Sequence, residues 1–410
     1  MRTFLQQISI LVSIVFIFVY PVYSMDYYVD ESIGTSGDGL SWIQAKKTIV
    51  EALTLSHPGD TVHVAEGHYM EAVIMNDSLT LLGGYPTGGG FRDFRQYKTI
   101  IDGSKATAKS VVSMDSECIL DGFTIINGSG TSTMIFSRLG GGIFCSGGPV
   151  IIRNNIIEYN NVNAVEGAYG GAIYLYDSDS TIHNNIIRMN STAGYGGGGA
   201  IAVFNSSPHI YNNFIYANIS KGAGNGVIYY VNSNGVVINN SICENSGTDE
   251  GGFFFRNSSP SLSNNIIYMN SGYGITETDT DSDPVCLRND IFRNESGVYF
   301  DEGSTPYATV ADLNRMVPEA SENLECDPRF VSTGDYHLQP GSCCIDVGVN
   351  PGAPSIDLDN DSRPIGAGVD LGCDEVQQYD VPVYDFSLFI ILQIIIVIMS
   401  YELLIKKWLP

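Results

Sequence analysis

One short motif returns through the middle of the chain and limits what it can fold into. Asn154-Asn155-Ile156-Ile157-Glu158-Tyr159-Asn160 recurs as Asn184-Asn185-Ile186-Ile187-Arg188-Met189-Asn190 and as Asn212-Asn213-Phe214-Ile215-Tyr216-Ala217-Asn218. Asn239-Asn240-Ser241-Ile242, Asn264-Asn265-Ile266-Ile267 and the worn copy Arg288-Asn289-Asp290-Ile291 continue it. The second Asn steps by 30, 28, 27, 25 and 24 residues. Such variable steps exclude a helical coiled coil and suit a coil of three short strands whose turns differ in length. Gly, Asn and β-branched residues dominate the repeat, and these are poor helix formers. Each copy carries a second marker: Gly140-Gly141-Gly142-Ile143, Gly170-Gly171-Ala172-Ile173, Gly198-Gly199-Ala200-Ile201, Gly226-Val227-Ile228 and Gly251-Gly252-Phe253-Phe254. Gly supplies the positive-φ conformations that strand-to-strand corners need.

Stacked coils bring equivalent residues about 4.8 Å apart. Ile152, Ile182, Ile210, Val237, Leu262 and Cys286 then form one inward column, and Ile157, Ile187, Ile215, Ile242, Ile267 and Ile291 another. Asn155, Asn185, Asn213, Asn240, Asn265 and Asn289 fall into a ladder at one corner. Asn tolerates the left-handed conformation there, and its amide can bond to the coils above and below. The expected fold is an all-β, right-handed parallel β-helix. A stack of coils needs closed ends, and Ile49, Ala52 and Leu53, at helical spacing within Ile43 to Ser56, predict an N-terminal cap helix.

The chain has 410 residues, with 45 acidic and 20 basic side chains and a net charge of −25. A nucleic-acid partner needs a basic footprint, so that class is excluded. Arg2, the apolar run from Ile8 to Tyr20 and the small residues Val22 and Ser24 read as a secretory signal at 1–24; an uncleaved N-terminal anchor is the alternative. A second apolar run begins at Phe386 and is closed by Lys406 and Lys407. It predicts a transmembrane helix over 386–405, with the body exported and displayed at the cell surface and a short tail inside. Between them lie the β-helix at 25–325, a C-terminal cap module at 326–376 and a linker at 377–385. Export permits disulfides. Cys145 and Cys286 fall in the core, whereas Cys326, Cys343, Cys344 and Cys373 gather in the module, with their pairing open.

Beyond these patterns, residues 27–75 resemble the N-terminal part of bacterial right-handed β-helix repeat proteins, through Tyr27-Tyr28-Val29-Asp30, Pro58-Gly59-Asp60-Thr61-Val62 and Glu66-Gly67-His68-Tyr69-Met70-Glu71. The Gly-x-Tyr-x-Glu stretch also occurs in pectin methylesterases, whose other catalytic motifs this chain lacks. The Gly-Gly-Ala-Ile and Ile-x-x-Asn copies resemble repeats of chlamydial polymorphic outer-membrane proteins, which implies an adhesin-like role; their C-terminal autotransporter barrel is missing here. Residues 327–375 resemble the choice-of-anchor module of secreted bacterial β-helix proteins, through Asp327-Pro328-Arg329-Phe330, Tyr336-His337-Leu338-Gln339-Pro340-Gly341-Ser342, Cys344-Ile345-Asp346, Arg363-Pro364 and Val369-Asp370-Leu371-Gly372. That resemblance implies surface sorting.

Period-2 alternation from inward Ile143, Ile173, Ile201, Ile228 and Phe254 sends Phe144, Tyr174, Tyr229 and Phe255 outward, with Tyr176 and Phe204 beside them. The expectation is an exposed aromatic stripe able to stack on sugar rings. A glycosidase needs paired carboxylates; Asp177 and Asp179 are candidates but form no convincing pair. A lyase needs a basic residue and charge neutralisation, and Arg153, Arg188 and Arg256 share no column. Asp357, Asp359 and Asp361 alternate in a turn-rich stretch and could hold calcium, the one cofactor suggested. The run Glu277, Asp279, Asp281 and Asp283 reads as a solvated loop insertion. Two functions follow: a non-catalytic, adhesin-like surface shaft that binds carbohydrate or a surface protein, or a polysaccharide lyase or glycoside hydrolase on the same scaffold.

Overall fold

Three short strands arise from each copy of the repeat. In one coil they are Ile143–Ser146, Ile151–Arg153 and Ile156–Glu158. Each pairs in parallel with its counterpart in the next coil: Ile143 with Ile173, Ile152 with Ile182 and Ile157 with Ile187. The computed structural model describes residues 24–134, 137–222, 226–248 and 251–377. Within them the strands stack into sheets of 10, 11 and 9 strands, which form the three faces of a parallel β-helix. A further four-stranded sheet, from Asn161–Asn163 to Ser246–Gly247, extends one corner. The expected signal, save its last residue, and the whole expected anchor at 386–405 lie outside the described residues. No helix among the described residues is long and apolar enough to cross a membrane.

Both expected apolar columns run through the interior, fully buried from Ile152 to Cys286 and from Ile157 to Ile291. A third column comes from the first face, as Ile143, Ile173, Ile201, Ile228 and Phe253. The thiols of Cys145 and Cys286 are free and buried, and burial pushes both upward in pKa.

All three corners use one grammar. A residue in the left-handed region turns the chain, and the next residue turns its side chain inward to bond the coils on either side. At the first Asn corner the left-handed residue is the first Asn of each pair, from Asn154 (φ 56°) to Asn264 (φ 54°), rather than the ladder Asn that was expected to take this conformation. The second Asn forms the ladder. Asn240 Oδ1 accepts from the backbone N–H and the Nδ2 of Asn213 at 3.0 and 2.9 Å. Asn240 Nδ2 donates to Ile210 O and to Asn265 Oδ1. The same bonds link Asn155, Asn185, Asn213, Asn265 and Asn289. They continue to Asn323, which ends on Asn314 of the helix Val310–Met316.

Two further ladders escaped the sequence reading. Asn160, Asn190, Asn218, Asn245, Asn270 and Asn294 form a second Asn ladder, each preceded by a left-handed residue such as Tyr159 or Met189. At the third corner, Ser178, Ser206, Ser233, Ser258 and Ser282 hand backbone N–H bonds to the next hydroxyl. The glycine marker has two separate causes. Gly170 sits at φ 67°, whereas at Gly171 a Cβ would lie only 2.1 Å from Gly199 O.

The predicted N-terminal helix is shorter than expected, at Ile49–Leu53, and buries Ile49, Ala52 and Leu53 on the core. Thr48 and Glu51 form a capping box, and Glu71 accepts from the free N–H groups of Ile49 and Val50. The Gly-x-Tyr-x-Glu stretch therefore serves helix capping in this chain. At the far end the helix Val310–Met316 buries Val310 and Leu313 against the core.

Asn240→Ala deletes the side-chain bonds to both neighbouring coils and leaves buried partners unsatisfied. Each lost buried bond costs about 1 kcal/mol and each orphaned group about 1–3 kcal/mol, so this variant is expected to lose about 3–4 kcal/mol in a denaturant melt. Asp281→Asn, in an exposed turn, is expected to stay within about 0.5 kcal/mol of the parent in the same assay.

Candidate functional site

The outward surface of the nine-stranded face is apolar over Ile186, Phe214, Tyr216, Ile266 and Tyr268, and residues 326–376 cover it. The expected terminal cap module thus lies along the flank of the shaft, while the end is closed by Val310–Met316. Its docking uses the first Asn of four successive repeat pairs, while that of the first pair, Asn154, donates to Asp121 of the shaft. The amide of Asn184 donates to Asp357 O at 2.6 Å, Asn212 to Ile356 O at 2.6 Å, Asn239 to Asp370 O at 2.8 Å and Asn264 to Val349 O at 2.9 Å. In four coils the repeat therefore carries a second function, since the left-handed Asn points outward and holds the module. A Cys326–Cys343 disulfide pins the start of the module, while Cys344 and Cys373 are free and buried. Arg363 is fully buried. It donates to Asp370 O and Gly372 O and faces Glu375 at 3.3 Å.

Among the described residues, two cavities open where the module meets the shaft and a third lies within the module itself; all three draw on its 330–339 loop or the Leu358–Asp359 turn. One, of about 220 Å³, lies among Phe94, Arg95, Lys98, Asn154, Asn184, Tyr336 and Asp359. The second, of about 430 Å³, has a floor of Phe214, Tyr216 and Tyr268 and a module wall of Phe330, with Glu244, Asp327, Arg329, Asp335 and Gln339 around it. Phe214 and Tyr216 stack with centroids 4.6 Å apart, and Phe330 meets Tyr268 edge-on at 5.9 Å. The third, of about 360 Å³, is walled by carboxylates and His337. Sequence reading missed the aromatic cleft, because its rings come from two coils and a segment more than sixty residues downstream.

The expected aromatic stripe exists in part, but its rings are largely turned against one another. Phe144 stacks on Tyr174 at 5.7 Å, Tyr174 packs on Phe204 at 5.4 Å, and Tyr169 from an adjoining strand covers Phe204 and Tyr229. Tyr174 and Tyr229 are buried, and Tyr176 is exposed. Phe255 is a correction: it lies inside the core, and Phe254 takes the outward place beside Tyr229 at 5.0 Å. The register pairs Ile228 with Phe253. Gly251-Gly252 therefore matches the second and third positions of the marker rather than the first and second, which shifts every following residue by one.

Nor do Asp357, Asp359 and Asp361 converge as the expected calcium ligands. The buried Asp357 carboxylate accepts from the backbone N–H groups of Asp359, Asp361 and Glu375. Asp359 instead faces Arg95 at 3.3 Å, His337 at 3.0 Å and the Tyr336 hydroxyl. Arg153 and Arg188, considered for lyase chemistry, pair with Asp121 at 2.7 Å and Glu158 at 2.5 Å. Glu277 is a further correction. It ends the strand Tyr273–Glu277 at the level of Phe255, with its side chain inside the shaft. Burial, together with a bond to Asp301, pushes its carboxyl up to about 9.

Residues 163–312 match the family model described as a right handed beta helix region. The described residues form a right-handed parallel β-helix. A crystal structure of the pectate lyase Pel9A shares this fold at 12% identity and a TM-score of 0.50, over 86% of this chain and 97% of that one. A structure of XylC with xylose (10% identity, TM-score 0.31, 86% and 98% covered) overlaps it more loosely. So does a pectin methylesterase from Aspergillus niger (12%, 0.26, 71% and 92%). No curated protein matches the chain.

The raised Glu277 carboxyl makes the stability of the β-helix depend on pH. The folded state holds a proton that the unfolded state releases above its ordinary value of 4.5. This contribution is intact below pH 4.5 and is lost as pH rises toward about 9. Glu277→Gln is expected to remove part of that decline, so that its unfolding midpoint, followed from acid to mildly alkaline pH, falls less steeply than the parent's.

Proposed function

We propose that this β-helix protein is exported, tethered through its C-terminal apolar segment, and binds carbohydrate in the aromatic cleft between shaft and module without converting it. The observation that carries this reading is the cleft itself: a cavity of about 430 Å³ with Tyr216, Tyr268 and Phe330 among acidic, basic and amide side chains. Aromatic rings offer apolar faces to sugar C–H groups, while polar edges read the hydroxyls. The rings of the first-face stripe pack on one another, whereas Tyr268 and Phe330, both half-buried, border an open cavity. A pectate lyase built on the same scaffold is compatible with a carbohydrate role, although a shared fold does not choose the chemistry.

Binding without catalysis is supported by where the reactive groups lie. Glu277, hydrogen-bonded to Asp301, is buried inside the shaft. Of the three shaft arginines considered for lyase chemistry, Arg153 and Arg188 are engaged in ion pairs, and Arg256 is exposed at the end of the strand Phe253–Arg256. The Arg2-led apolar start and the lysine-closed apolar end support export and tethering.

A polysaccharide panel tests this reading, scored together for retention and for new reducing or unsaturated ends. Retention without new ends is expected. Tyr268→Ala and Phe330→Ala are each expected to weaken binding about tenfold, or ~1.4 kcal/mol, with the thermal melt preserved. Unsaturated or reducing ends would establish a lyase or hydrolase in its place.

A further inference from the structure

The module holds a second cluster with a different chemistry. His337, Asp359 and Asp374 each bring one ligand atom to within 4.8 Å of the others, at the edge of the 360 Å³ cavity. His337 Nε2 lies 3.0 Å from Asp359 Oδ2. Asp374 is only 5% exposed, and among the described residues the hydrogen bond it accepts, from the Leu338 N–H, is to Oδ2, which leaves Oδ1 available to a ligand. We propose that His337, Asp359 and Asp374 form a binding site for a divalent transition-metal ion of the zinc class, which clamps three segments of the module together.

The supporting contacts are those a metal site needs. Metal-binding imidazoles characteristically donate their other N–H to a carboxylate, which sets the tautomer and aims the ring. Here His337 Nδ1 faces Asp335 Oδ1 at 2.5 Å, so Nε2 is the nitrogen presented to Asp359 and Asp374. Asp357 ties the other two ligands in place from behind. One of its oxygens accepts from the Asp359 N–H at 2.8 Å, and the other accepts from the N–H of Glu375, next to Asp374, at 3.0 Å. Of the three aspartates expected to hold calcium, the proposed site takes Asp359 as a ligand, uses Asp357 to position it and does not include Asp361.

The donor set also selects the ion. One neutral imidazole and two carboxylates match a dication's charge. Zinc bonds of about 2.0–2.1 Å in a tetrahedral site put donors ~3.4 Å apart, close to the observed 3.0 Å between Nε2 and Asp359 Oδ2. Calcium would call for six to eight oxygens and no nitrogen. On binding, Nε2 gives up its proton to solvent and exchanges its hydrogen bond to Asp359 for a metal bond, while the Nδ1–H remains on Asp335. This proposal is independent of the carbohydrate reading, since the ligands lie outside the aromatic cleft.

Metal uptake by the full-length protein, stripped with chelator under non-reducing conditions, tests it. Zinc, manganese and calcium are each titrated by calorimetry, and cobalt is used as a spectroscopic probe. One zinc per chain is expected, with a weak-field cobalt spectrum that zinc displaces. His337→Ala and Asp374→Asn are expected to weaken zinc binding at least 100-fold, and Asp335→Asn about tenfold, with the metal-free melt retained. If the variants fail to fold, the parent's cobalt spectrum still decides between nitrogen–oxygen and sulfur ligation. Absence of stoichiometric zinc uptake would overturn the proposal, as would uptake unchanged in His337→Ala. A thiolate-to-cobalt charge-transfer band would also overturn it by moving the ion to Cys344.

Discussion

The hydrogen bond between stacked Asn side chains is the interaction on which the rest of the molecule depends. A coil of three-residue strands has little to hold its corners, because each left-handed turn breaks the backbone ladder. The inward Asn repairs the break twice over. Its amide donates to a carbonyl of the coil before it and to the amide oxygen of the coil after it, and its own oxygen accepts two bonds in return. In a buried setting such groups are costly when single and strong when every member is satisfied. The ladder therefore sets the registry of neighbouring coils, and the apolar columns follow that registry. The second Asn corner and the Ser corner apply the same solution.

That regularity gives the shaft an outward face whose side chains also stand in columns. The left-handed Asn at the first Asn corner turns its side chain outward, so its amide is offered to whatever lies alongside. In four successive coils that is the backbone of the C-terminal module. The module has too little apolar material for a separate core. It joins Phe214, Tyr216, Ile266 and Tyr268 of the shaft to Phe330, Leu338, Leu358 and Leu371 of its own. Its polar interior, with Arg363 against Glu375 and Asp357 accepting three N–H groups, shapes the turns that reach back to the shaft. Two of the cavities are gaps left by this joining, with shaft residues on one side and irregular turns of the module on the other.

How much could be read in advance follows from this division. The Ile152 and Ile157 columns and the Asn155 ladder were legible because a solenoid turns sequence period into spatial stacking. Phe255 was misplaced because a glycine pair can occupy two registers of the marker, and strand parity inverts with a one-residue slip. The Asn154-type residues were assigned no role, although they take the positive φ and the docking bonds. An Asn-Asn pair does not say which member turns inward. Glu277 looked like part of an acidic loop, yet alternation carries it into the core column ahead of the true turn at Asp279.

The sequence by itself determined the coil. Repeated apolar residues at period two and a bondable Asn or Ser side chain after the left-handed residue of each corner allow only one stacked arrangement. Contacts between neighbouring coils are local in the repeat, so periodicity encodes them. The tertiary structure alone decided the sites. Whether an outward ring is a binding surface depends on what lies over it, and Tyr174 and Tyr229 are covered whereas Tyr268 borders a cleft. Whether an aspartate holds an ion or a turn depends on partners brought together by docking, as Asp357 and Asp374 show. Those contacts join the repeat to a segment without period, and no spacing along the chain records them.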